Sequence, residues 1–90
     1  MHQFLYPAVF FKDEEDFLVY FPDLDISTQG STVEEAFLFA KDYLRAYLTE
    51  ALKHELDYEL PTKFEDVCKK YRNGRVFLVD VILNTAEFAK

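Results

Sequence analysis

Two histidines, one cysteine and seventeen carboxylates are the side chains of this 90-residue chain that could carry out chemistry. Their spacing does not assemble a site. His2 lies beside the N-terminus. His54 falls at the end of a helical pattern, where an imidazole favours the carbonyl end of the helix dipole. Neither histidine stands at metal-ligand spacing from Cys68. Cys68 falls on the apolar side of a short helix, where a free cysteine is expected to be a small buried core residue. As a nucleophile it would need a paired base, and the sequence offers none. Two glycines cannot build a phosphate-cradling loop. A metal-dependent nuclease would converge three or four carboxylates on strand ends and a helix. Asp80, Glu34 and Glu35 are the candidates, but the first strand has no acid before Asp13, and helix capping accounts for Glu34 and Glu35. No catalytic, metal-binding or cofactor-binding residue is expected, and the chain is not expected to be an enzyme.

The carboxylates say more through their distribution. Residues 1–35 hold eight acids against one base, Lys12, whereas residues 36–90 hold nine of each, so the first third carries the whole net charge of −7. Such a surface repels nucleic acid and attracts a basic partner. The run Asp13, Glu14, Glu15, Asp16 keeps a hairpin end soluble and discourages edge pairing; it can also steer a basic partner. The surface expected to meet that partner comprises Asp13, Glu14, Glu15, Asp16, Phe17, Tyr20, Asp23 and Asp25. The basic run from Lys69 to Arg75 chiefly complements the dipole at a helix C-terminus.

The elements that must position these residues are legible. Gln3 to Phe11 reads as a strand, Lys12 to Asp16 as a turn, and Phe17 to Phe21 as the second arm of a hairpin. Pro22 ends that arm. Ile26 to Gln29 is a short third strand, and Gly30 permits a sharp turn. Ser31 with Glu34 and Thr32 with Glu35 form two candidate capping boxes. They open a helix over about 32–53, near 30 Å long at about 1.5 Å per residue. Its apolar stripe is Val33, Ala36, Phe37, Ala40, Leu44, Tyr47, Leu48 and Ala51. A connector over 55–61 leads to a third capping box, Thr62 with Glu65, and a short helix with Phe64, Val67, Cys68 and Tyr71 on one side. Asn73-Gly74 reads as its left-handed cap, and Val76 to Leu83 as a last strand. The expected fold is α+β, in the order β-β-β-α-α-β: a three-stranded antiparallel meander plus a fourth strand, with a long and a short helix on one face.

Length and composition bound the rest. Ninety residues make one domain, and half of them are hydrophobic, with ten Phe and six Tyr. A single cysteine excludes an internal disulfide and fits a reducing compartment. No apolar run reaches the roughly 20 residues that span a bilayer, and Met1-His2-Gln3 does not begin a secretory signal. A cytoplasmic protein that does not meet the membrane is expected. Strand one is apolar on both faces, which two short helices would not easily cover. Half-exposed aromatics are one reading of this; the other is a protein interface, either a homodimer or higher homo-oligomer, which is the expectation carried forward, or a partner surface.

Three motifs then carry a resemblance. Tyr6-Pro7-Ala8-Val9, Phe21-Pro22-Asp23-Leu24 and Thr28-Gln29-Gly30-Ser31-Thr32-Val33-Glu34-Glu35-Ala36 resemble, in order and spacing, the N-terminal domain of the HicB antitoxins. They cover residues 4–53 closely, and Leu60-Pro61 fits the family's proline-containing connector. The resemblance implies a truncated ribonuclease H-like fold without the nuclease active site. It also implies a partner, the HicA toxin: a small basic RNA-cleaving protein with a double-stranded-RNA-binding-like fold and a catalytic histidine, which the antitoxin covers and blocks. Two departures stand out. Asp25-Ile26-Ser27 replaces the Pro-Gly-Cys of many members, and the first hairpin turn lacks their glycine. Members usually continue into a ribbon-helix-helix or helix-turn-helix region. The chain is accordingly expected to be a single HicB-like domain over residues 1–90, with the DNA-binding domain absent and no direct nucleic-acid binding. Neutralisation of a HicA-like toxin is the leading expectation. A stand-alone HicB-like scaffold that only oligomerises is the alternative, and a residual metal nuclease the third reading.

Overall fold

The computed structural model describes residues 2–84 of the chain. Strands β1 (His2–Asp13), β2 (Asp16–Phe21) and β3 (Ile26–Gly30) are followed by helices α1 (Val33–Lys53) and α2 (Phe64–Lys70) and by strand β4 (Arg75–Leu83). The strands form one antiparallel sheet in the order β3-β2-β1-β4. The α+β class and the element order are those the sequence predicts. The hairpin register pairs Asp13 with Asp16 and leaves Glu14-Glu15 as a two-residue loop. Glu14 takes the left-handed conformation there, at φ 55°, which explains how the turn closes without glycine.

One face of the sheet is the core. Alternation along the strands turns Phe4, Tyr6 and Ala8 of β1, Val19 and Phe21 of β2, and Val79, Val81 and Leu83 of β4 to the same side. The α1 residues Ala36, Ala40, Leu44 and Leu48 bury themselves against them. Small residues let the helix lie close. A Cβ on Gly30 would collide with the backbone of Ala36, so close approach rather than an unusual dihedral demands this glycine. The predicted stripe is buried or half-buried except for Val33, which is exposed. Of the two candidate capping boxes, one forms. Thr32 Oγ1 accepts from Glu35 N at 3.0 Å, and Glu35 Oε1 accepts from Ser31 N at 3.0 Å. The helix ends in a Schellman motif: Leu56 N donates to Ala51 O at 2.8 Å and Glu55 N to Leu52 O at 3.3 Å. Glu55 holds the left-handed position, φ 54°, that glycine usually fills. His54 pairs with Glu50 at 3.2 Å rather than capping carbonyls with its ring.

The second helix is placed differently from the expectation of two helices on one face. β2 pairs with β1 only from Val9 onward, leaving β1 residues 2–8 bordered by β4 alone. The connector fills that open side. Tyr58 packs edge-on to Phe4 with centroids 6.0 Å apart, the Tyr6 hydroxyl donates to Glu59 O, and Glu59 N donates to the Tyr47 hydroxyl at 3.0 Å. The chain thereby passes to the other face of the sheet, where α2 brings Val67 and Tyr71 over Tyr20. Val9, on Tyr20's side of the sheet, is fully buried. The second apolar face of β1 is thus partly covered, and Leu5, Leu78 and Ile82 remain exposed on it.

Three local expectations on α2 are corrected. Thr62 does not cap the helix; Lys63 is the N-cap residue and makes no side-chain cap bond, and Thr62, one residue too early to be the cap, is turned toward Asp23, to which its hydroxyl donates. Asn73-Gly74 is not a left-handed cap, since α2 already ends before Tyr71 and neither residue has positive φ. Gly74 is required instead because a Cβ would strike the side chains of Val9 and Phe11. Cys68 is exposed, not core, because a two-turn helix buries only the Val67 line against the sheet. No helix among the described residues is long and apolar enough to cross a membrane.

Candidate functional site

The eight residues that the sequence singles out fall into four settings on and beside β2. Asp13, Glu14 and Glu15 form the exposed tip of the β1–β2 hairpin, and their side chains make no hydrogen bonds or ion pairs to other described residues. Asp16 is half-buried and accepts from Gln29 Nε2 across the β2–β3 ladder. Phe17 packs against the core under α1, so its ring serves the fold. Tyr20, Asp23 and Asp25 lie toward the other end of β2, on the order of 13 Å from Asp16 at about 3.3 Å per residue.

There the chain builds a pocket. Tyr20, Pro22, Asp23 and Asp25 form one wall, and Thr62, Asp66, Val67, Lys70 and Tyr71 the other, around a cavity of about 290 Å³. The two tyrosine rings face each other obliquely, with centroids 5.9 Å apart. The Tyr20 hydroxyl donates to Asp25 Oδ1 at 2.9 Å. That bond, followed by burial and the Asp25 charge, pushes the Tyr20 phenol up to about 12. Asp25 reaches it from the left-handed region, φ 50°, an arrangement that costs a non-glycine residue about 1 kcal/mol or more. Asp23 fixes the opposite wall, accepting from Thr62 N at 3.0 Å and from the Thr62 hydroxyl. Lys70 lies 5.6 Å from the Tyr71 ring centroid, so the pocket already presents a cation on an aromatic face.

Thr62, Asp66, Lys70 and Tyr71 were missed by sequence reasoning. The signal was there in part. The Asp23 and Tyr71 side chains are polar groups beside proline or glycine turns, but nothing in the chain's order says that residues 62–71 return to residues 20–25. The arrangement can hold a polar or cationic group between tyrosine rings and carboxylates. It does not bring together general acid, base and nucleophile. Asp80 is tied to Lys41 at 3.6 Å and Glu35 to the α1 cap, so these acids do not converge. Among the described residues, no three His, Cys, Asp or Glu side chains cluster to hold a metal ion.

The fold is shared with known antitoxins. Over 88% of this chain and 99% of the other, it superposes on the N-terminal domain of the Burkholderia pseudomallei antitoxin HicB with a TM-score of 0.77 at 20% identity. A chain of a toxin–antitoxin complex from Streptococcus pneumoniae matches with a TM-score of 0.75 at 20% identity, over 99% of this chain and 74% of that one. A chain of the HicA3–HicB3 toxin–antitoxin complex matches with a TM-score of 0.60 at 24% identity, over 82% of this chain and 93% of that one. No family model and no curated protein matches the sequence. The structure thus has the fold of a HicB antitoxin N-terminal domain, as the three sequence motifs led one to expect.

Proposed function

We propose that this protein is an antitoxin that binds a small basic HicA-like toxin and neutralises it by covering its RNA-cleaving active site. The observation that carries the reading is the likeness of fold to chains of toxin–antitoxin complexes. The surface chemistry is consistent with it. Acids at the hairpin tip raise the encounter rate with a cationic partner. The pocket between Tyr20 and Tyr71 offers aromatic area and carboxylates to a basic side chain at short range. The proposed activity is binding in the cytoplasm, where the exposed Cys68 stays a thiol. Co-expression with a small basic HicA-like toxin, sought in the reading frame beside this protein's gene, tests the proposal. The expected result is a stable complex, with RNA cleavage by that toxin suppressed at one-to-one stoichiometry. Unhindered cleavage in the presence of excess folded protein would refute it.

A further inference from the structure

The two edges of the sheet are treated unequally. β3 is a short, polar edge of five residues that ends at Gly30 beside α1. β4 is a nine-residue edge, Arg75–Leu83, without proline and with one acid. Its two halves also differ. In the C-terminal half, Arg45 Nη1 donates to Ile82 O at 3.3 Å, and Lys41 pairs with Asp80 at 3.6 Å. Long cations from α1 close that part of the edge, the usual protection against strand addition. One helical turn earlier, the same side of α1 carries Leu38, 60% exposed. Beside it, Phe37 stacks on Phe10, which meets Phe77 edge-on at 4.9 Å. The row of α1 side chains along β4 is therefore charged where the edge is closed and apolar where it is open. Within the open stretch, Arg75–Val79, Phe77 is 43% and Leu78 44% exposed, on opposite faces.

The direction of the unused backbone groups follows from two independent observations. The Arg45 bond shows Ile82 O pointing away from β1. Pro7, which has no N–H, sits opposite Leu78, so that pair is not a hydrogen-bonded one. By the two-residue period, Val76 and Leu78 turn their N–H and C=O groups outward. Among the described residues nothing pairs with them.

We propose that this open half-edge is a self-association surface, at which β4 of a second copy pairs antiparallel about a two-fold axis at Phe77. A two-fold normal to the sheet keeps the faces aligned. Val76 of each copy then exchanges both backbone bonds with Leu78 of the other, and the two Phe77 rings meet at a non-hydrogen-bonded site, where side chains approach most closely. Charge selects the occupant. The open stretch Arg75–Val79 itself carries one base and no acid, and Lys41 and Arg45 flank it, so a basic partner is drawn elsewhere while a second copy of this acidic chain can meet here. Lys41 and Arg45 stop the pairing beyond Val79 and so set its register.

Sedimentation of the full chain, without any toxin, tests this separately from the antitoxin reading. The wild type is expected to run as a dimer of the 10.7 kDa chain. Leu78→Lys and Leu38→Lys should each weaken the dimer at least tenfold while keeping the circular dichroism of the fold, and Leu60→Lys, on the exposed connector, should not. In a Cys68→Ser background, Phe77→Cys should form a disulfide dimer on mild oxidation and Ile82→Cys should not. A monomeric wild type at micromolar concentration, a dimer indifferent to Leu78→Lys, or cross-linking at Ile82→Cys in preference to Phe77→Cys would each overturn the proposal.

Discussion

The hairpin tip and the pocket both take carboxylates from the segment that carries the net charge, yet they are different kinds of surface. At the tip, Asp13, Glu14 and Glu15 stand in water with nothing to hold their side chains. At the pocket, each carboxylate of the β2–β3 turn has a partner: Asp25 holds the Tyr20 hydroxyl and Asp23 holds Thr62. Loose charges act at long range and lose strength with salt. Positioned groups act at contact, because their geometry is settled before a partner arrives. The tip is thus suited to setting how often a basic partner arrives, and the pocket to how long it stays.

The largest effect should come from the pocket. Tyr20→Ala removes one wall, and dissociation of the toxin complex should speed up by tenfold or more, on the order of 2 kcal/mol for an aromatic anchor; stopped-flow dissociation measures it. An unchanged off-rate would remove the pocket from the interface. Neutralising the tip, with Asp13 to Asn and Glu14 and Glu15 to Gln, should instead slow association several-fold and flatten its salt dependence, with little change in off-rate. An unchanged on-rate would reduce the tip to a solubility device. A smaller effect belongs to the pocket's own order. Asp25→Asn should cost no more than about 0.5 kcal/mol of folding stability at neutral pH by weakening one exposed hydrogen bond, read by denaturant unfolding. Smallest is the titration. Tyr20 stays neutral in the fold to about 12, against 10.0 ordinarily. Its contribution to stability is therefore complete below pH 10 and fades as pH rises through 12. An ultraviolet titration should show two tyrosines ionising late, Tyr20 and Tyr6, whose phenol burial pushes up, and Tyr20→Phe should remove one of the two late steps.

A parallel contrast separates the two helices. The start of α1 was readable because Thr32 and Glu35 satisfy orphan backbone donors within four residues of each other. The same letters at Thr62 and Glu65 promised the same cap, but Asp23, thirty-nine residues away, competes for that threonine. Cys68 was misplaced for a related reason. Periodicity says which residues share a side of a helix, but not how much of that side a seven-residue helix can bury.

Hydrophobic period, turn chemistry and caps are local, so the chain's order by itself determined the strands, α1, the segregation of charge and the three motifs of the HicB-like fold. Only the tertiary structure decided that the connector crosses the open side of β1, that α2 lies on the face opposite α1, and that residues 62–71 close a pocket over Tyr20. Those outcomes depend on contacts between residues far apart in the chain: Tyr6 with Glu59, Tyr47 with Glu59, Asp23 with Thr62. A tyrosine or aspartate carries no local mark of which distant backbone group it will hold. Its partner is set by where the sheet runs out of strands and leaves an edge to be covered.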